Sequence, residues 1–177
     1  RTLDWGLNPF APGDAGDITI TSDILHLDDG SNIRNAQIDT TLPGNIFITS
    51  DEIIIAGRSF IATESVPLYQ SDFRNRTEVD QNGSVNIKTG SLDLQDSSFV
   101  KTTTVIPKRN AGDIIIDADA VSLSGRSSML SNTEPNKFEA ELGLTGLDYG
   151  NAGRLEIKTG SLQLADQSKI SSDSFTS

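Results

Sequence analysis

The reactive side chains this chain carries set narrow limits on its chemistry. It has no Cys, and His26 is its single imidazole. Disulfides, thiolate nucleophiles, Cys-ligated metals and any site needing two His ligands are therefore excluded. Carboxylates remain. Asp17 and Asp113 share one outward position of a repeated pattern, and Asp23, Asp51 and Asp119 share another, an arrangement that would let carboxylates approach one another and hold Ca²⁺. Asn45, Ser84 and Arg154 interrupt the first row, and Gly90 and Gly160 the second. A solvated acidic face is the better reading, so neither a metal nor any other cofactor is expected. The glycine-rich Ca²⁺ nonapeptide of some β-helices is absent. His26 lies between Leu25 and Leu27, a place that turns it outward and alone, with no catalytic part. Asn75-Arg76-Thr77 and Asn82-Gly83-Ser84 match the glycosylation sequon, which matters only in a secretory pathway that reads it.

The elements that position these residues follow from a repeat. Five stretches align without gaps on Gly16, Gly44, Gly83, Gly112 and Gly153, each with apolar residues at offsets +2, +4, +9, +11 and +17. Apolar residues at i and i+2 put two side chains on one face of a strand. Each copy therefore reads as short strand, corner, short strand, corner, short strand. Polar residues such as Ser50-Asp51 and Thr89-Gly90 mark the first corner. One copy alone could not bury its apolar face; stacked copies can, at roughly 4.8 Å per coil. The expected fold is all-β: a parallel β-helix of about five coils over residues 15–177, right-handed by the usual crossover rule rather than by the pattern, after a lead-in at 1–14. Ile20, Ile48, Ile87, Ile116 and Ile157 form one interior ladder in this reading. The rival, an antiparallel β-sandwich, has no reason to hold one register five times.

The anchor glycines are spaced 28, 39, 29 and 41 residues apart, so copies two and four carry long excursions after the third strand, about 62–82 and about 130–151. Both leave the same corner, about 10 Å apart along the axis. Loops on a rigid scaffold are the usual place for binding. Tyr69, Phe73, Arg74, Arg76, Phe138 and Tyr149 are the candidate binding residues, forming a ridge for a protein or glycan. The competing reading folds Phe73, Leu142 and Leu147 onto a sheet face and pairs Arg74 or Arg76 with carboxylates. Residues 136–142 have the composition of a short helix.

Composition narrows the partners. With 14 Lys and Arg against 25 Asp and Glu the formal charge is −11, which disfavours nucleic acid and anionic membrane surfaces. The longest apolar run, Ile53-Ile54-Ile55-Ala56, is strand-sized, so membrane insertion is not expected. The start lacks the layout of a signal peptide and an initiator Met, and reads as a processed product or an excised fragment.

Gly112-Asp113-Ile114-Ile115-Ile116, Ala15-Gly16-Asp17-Ile18-Thr19-Ile20 and the Thr-Gly-Ser-Leu segments at Thr89 and Thr159 resemble the repeats of filamentous-haemagglutinin-like exoproteins, especially large cyanobacterial ones. The resemblance covers about residue 13 to the end. It implies a long right-handed parallel β-helix, two-partner secretion through an outer-membrane transporter, and display or release at the bacterial cell surface for adhesion. The secretion domain of that family ends near an Asn-Pro-Asn-Gly-type segment, for which only Asn8-Pro9-Phe10 is a partial match. The expected function is a non-enzymatic, adhesin-like rod segment mediating cell–cell or cell-surface contact. The alternatives are a polysaccharide-acting β-helix enzyme and an extracellular filament or matrix subunit that self-associates end to end.

Overall fold

A computed structural model of the chain describes residues 15–38, 44–66, 80–135 and 149–175. No helix occurs among them. The strands are β1 (Ile18–Leu27), β2 (Asn32–Ile38), β3 (Ile46–Ile55), β4 (Phe60–Val66), β5 (Asp80–Gln81), β6 (Val85–Leu94), β7 (Phe99–Thr104), β8 (Arg109–Asn110), β9 (Ile114–Leu123), β10 (Ser128–Thr133), β11 (Leu155–Leu164) and β12 (Lys169–Asp173). They form two five-stranded sheets, ordered β1-β3-β6-β9-β11 and β12-β10-β7-β4-β2, and a two-stranded pair, β5-β8. Every pairing within these sheets is parallel, which removes the antiparallel sandwich. The arrangement is consistent with a solenoid-like stack, and we call each repeat a coil.

The register is the one the sequence predicts. Ile20 pairs with Ile48, Ile48 with Ile87, Ile87 with Ile116 and Ile116 with Ile157. In the inner coils these side chains are buried together with the neighbouring ladders: Ile46, Val85 and Ile114; Ile53, Leu92 and Val121; Ile55, Leu94 and Leu123; Ile61, Val100 and Met129. Among the described residues the first and last coils have a neighbouring coil on one side only. Leu162 and Leu164 are 47% and 44% exposed although they continue those ladders.

The first corner differs from the expectation. The first two predicted strands are one ten-residue strand, bent where pairing passes over Asp23, Asp51, Gly90, Asp119 and Gly160. Two adjacent exposed residues, Asp51 and Glu52 in β3, shift the in–out phase so that both halves face inward. A buried hydroxyl braces the bend. Ser50 Oγ lies within hydrogen-bonding reach of the Asp23 and Glu52 carbonyls, at 3.1 and 2.8 Å, and Thr89 Oγ1 of those of Asp51 and Ser91, at 3.3 and 2.9 Å, so that one proton serves both acceptors.

The second corner is a tight turn recurring in every coil. Asp29-Gly30, Gly57-Arg58, Asp96-Ser97, Gly125-Arg126 and Asp166-Gln167 all have positive φ at both positions, and the following Ser donates its N–H three residues back, as in Ser98 to Gln95 at 3.1 Å. Two central residues of positive φ are the signature of a type I′ turn. Asp tolerates that conformation and Gly adopts it freely. Successive turns bond to one another along the stack, for instance Ser97 N–H to the Gly125 carbonyl at 2.8 Å.

The Ser after the turn points inward in the inner coils, whereas Ser31 is exposed and donates to the Asp28 carbonyl. Ser59, Ser98 and Ser127 are fully buried, and their hydroxyls, with that of Ser168, find no partner. A buried unpaired hydroxyl costs about 1–3 kcal/mol. Ser98→Ala is therefore expected to raise stability by about 1 kcal/mol, read as a higher midpoint in urea at unchanged slope. A lower midpoint would mean that the hydroxyl is satisfied in solution.

The third strands run longer than the apolar pattern suggests. β4 extends to Val66 and β10 to Thr133, so residues 62–66 and 130–133 belong to the sheet, and Asp80–Gln81 is a strand as well. The apolar signal ends at +17, whereas the interior then turns polar. Asn35, Thr63, Thr102 and Ser131 are buried at +19, and each bonds an anchor-glycine carbonyl: Gly16 at 2.8 Å, Gly83 at 2.5 Å, and Gly112 at 2.6 and 3.0 Å respectively.

Candidate functional site

Of the candidate binding residues, Tyr69, Phe73, Arg74, Arg76 and Phe138 lie outside the described residues, as do Leu142, Leu147 and the helical stretch 136–142. Tyr149 is described. Its ring meets Phe175 edge-on at 5.4 Å, and its backbone bridges Pro107 in antiparallel fashion.

The corner from which both excursions depart is nevertheless well defined at its base. Three segments stack there: 80–82, returning from the first excursion; 105–111, the short connection after β7; and 149–152, returning from the second. Asp80 and Gln81 pair with Arg109 and Asn110. Asn82 N–H donates to the Asn110 carbonyl at 2.9 Å, Asn151 N–H to Asn110 Oδ1 at 2.8 Å, and Ala111 N–H to the Asn151 carbonyl at 2.9 Å. The excursions thus share one corner, with the 105–111 connection between their returning ends.

At the centre lies Arg109, a residue that hydrophobic periodicity could not single out. It is fully buried, which for a cation demands compensation. Its Nη1 donates to Ser65 Oγ at 3.0 Å. Ser65 Oγ in turn donates to Asn82 Oδ1 at 2.7 Å, and Asn82 Nδ2 to the Thr103 carbonyl at 2.7 Å. Asn82 is 3% exposed. In the folded chain its sequon is therefore structural rather than an open acceptor; Asn75 lies outside the described residues.

The rows of outward carboxylates have a structural use. In the first, each side-chain oxygen accepts the backbone N–H of the same position one coil on: Asp17 from Asn45 at 2.7 Å, Asn45 from Ser84 at 3.0 Å, Ser84 from Asp113 at 3.1 Å and Asp113 from Arg154 at 2.7 Å. Asp, Asn and Ser are equivalent here because each offers a short oxygen acceptor. The apparent interruptions belong to one continuous ladder. In the second row Asp23, Asp51 and Asp119 are exposed. No group of three or more His, Asp or Glu poised to hold a metal exists among the described residues. His26 is exposed, as its place between Leu25 and Leu27 predicts.

Other polar features are surface pairs. Arg34 meets Glu64 at 2.6 Å and Lys101 meets Glu134 at 3.2 Å. On β11 a hydrogen bond from Lys158, with the charges of Lys158 and Arg154, holds the partly exposed Glu156 carboxyl below its ordinary range. Bonds from Ser171 and Lys169 lower Asp173 likewise. At the turns the exposed charges alternate along the stack as Asp29, Arg58, Asp96, Arg126 and Asp166. Phe60 and Phe99, paired across β4 and β7, stack at 4.8 Å with rings 5° apart. Alignment of offset +16 would have revealed them.

These features define an all-β protein of two five-stranded parallel sheets with a polar corner where long insertions depart. No protein-family model, curated protein or solved structure matches the chain.

Proposed function

We propose that this chain is a segment of a secreted, surface-displayed, adhesin-like rod, a right-handed parallel β-helix that acts without catalysis in cell–cell or cell-surface contact. One observation carries the reading: equivalent positions of successive repeats pair in parallel, coil upon coil, in both long sheets. Such a stack grows by repetition and holds side chains at fixed spacing, properties suited to a rod that presents a contact edge. The right-handed path follows from the usual hand of parallel crossovers. The resemblance to haemagglutinin-like exoproteins supplies the export route, a partner transporter in the outer membrane. A protein or glycan on a cell surface is the proposed ligand, and the corner bearing the two excursions is the proposed contact edge.

A polysaccharide-acting enzyme is the weaker reading. Asp113 and Asp119 flank half of β9, six residues apart and so about 20 Å along the strand, beyond the roughly 5–9.5 Å at which paired carboxylates cleave glycosides.

Antibody labelling of intact source cells, with the mass of the labelled polypeptide, tests the proposal. Surface label on a chain much larger than this one is the expected result. Label confined to the cell interior on a chain of this size would overturn it.

A further inference from the structure

We propose that Lys101 and Asn132 form an intramolecular isopeptide bond, with Glu134 moving the protons, so that adjacent coils become joined covalently across β7 and β10. The groups meet on the outward face of one sheet. Lys101 and Thr103 lie on β7, and Asn132, on β10, pairs directly with Thr103. Glu134 Oε1 accepts from Lys101 Nζ at 3.2 Å and from Asn132 Nδ2 at 2.7 Å, which leaves amine and carboxamide one oxygen apart. A surface ion pair needs no such third member. The carboxylate also fixes which way the amide points: it only accepts, so the NH₂ must face it. Asn132 Oδ1 is thereby turned to Thr103, whose Oγ1 donates to it at 2.7 Å. Thr103 is 5% exposed and the Lys101 side chain 20%, so the donor and the nucleophile are both largely withdrawn from water.

Each group has a part in an acyl transfer. Glu134 takes a proton from the Lys101 ammonium, and the free amine attacks Asn132 Cγ. The negative charge that develops on Oδ1 faces the Thr103 hydroxyl, a donor already in place. The Nζ–Cγ bond forms and the Cγ–Nδ2 bond breaks; two protons leave Nζ in turn through Glu134, and both end on the departing nitrogen. A lysine ammonium and a carboxamide are consumed, a secondary amide and one ammonium ion are produced, and no oxidant, reductant or co-reactant is required. Paired strands hold the reactants together for the lifetime of the fold, which makes an otherwise slow amide exchange intramolecular.

The test is the intact mass of the full chain after prolonged incubation at neutral pH, followed by fragmentation of its proteolytic peptides. Wild type is expected to weigh less than its sequence by one ammonia and to yield a branched peptide joining residues 101 and 132. Lys101→Arg, which keeps the charge but supplies no primary amine, and Glu134→Gln, which cannot take the proton, are expected to keep the full sequence mass while showing the wild-type β circular dichroism. Wild type at its full sequence mass would overturn the proposal. So would an ammonia loss that persists in Lys101→Arg, which would belong to a succinimide at an asparagine, or a loss of water in place of ammonia. A link that forms undiminished in Glu134→Gln would overturn the part given to Glu134. No ligand or cell enters the assay, so its outcome is independent of the adhesin reading.

Discussion

Gly112→Ala is expected to cost on the order of 4 kcal/mol and to leave little folded protein at physiological temperature. A Cβ at that position would lie 1.9 Å from the Gly83 carbonyl oxygen and 2.6 Å from its carbon. Both neighbours are backbone in a paired coil, and neither can yield without parting the stack. The cause is not an unusual dihedral, since Gly112 is not among the residues of positive φ. It is the closeness of two coils, and the Gly112 carbonyl is itself engaged by Thr102 at 2.6 Å and Ser131 at 3.0 Å. Gly16, with nothing within 4 Å of its notional Cβ, is the control. Gly16→Ala should change stability by less than about 0.5 kcal/mol. Urea unfolding of both, followed by β circular dichroism, distinguishes them, and equal losses would contradict the stacking account.

The second large effect belongs to the apolar ladder. Ile116→Ala removes a fully buried side chain lying between Ile87 and Ile157 in adjacent coils. The lost transfer energy and the residual cavity together cost about 2–5 kcal/mol. Paired strands fix the spacing on both sides, which hinders collapse into the cavity and puts the expected value in the upper half of that range. Leu164→Ala occupies an equivalent face of the last coil, but the side chain is 44% exposed, and a cost below about 1 kcal/mol is expected. The same denaturant series measures both. Similar costs would mean that the last coil is covered in solution by something that buries Leu164.

Much of this fold is legible because apolar periodicity reports buried faces directly. The pairing of Ile20, Ile48, Ile87, Ile116 and Ile157 follows from their offsets alone. The polar devices were less legible, for a physical reason. Thr63, Thr102 and Ser131 are buried because carbonyl acceptors await them, and a hydroxyl in a sequence carries no mark of its future partner. The same holds for Asp17, Asn45, Ser84 and Asp113, which look like a broken carboxylate row until each is seen to cap a backbone N–H one coil away. Two signals in the sequence do mark the second corner. Gly or Asp opens the second corner in all five copies, and Ser closes it, the composition a type I′ turn favours. Arg109 had no such signal: its burial comes from three chain segments that meet only in the folded corner.

The central claim is that the coils are a scaffold and the excursion corner makes the contact. Its most direct test is to remove Tyr69 to Arg76 and compare the shortened chain with the full one for retention on intact cells and on immobilised glycans, recording β circular dichroism of each. The account predicts an unchanged β spectrum with altered retention. Loss of the β spectrum, or retention identical to that of the full chain, would contradict it.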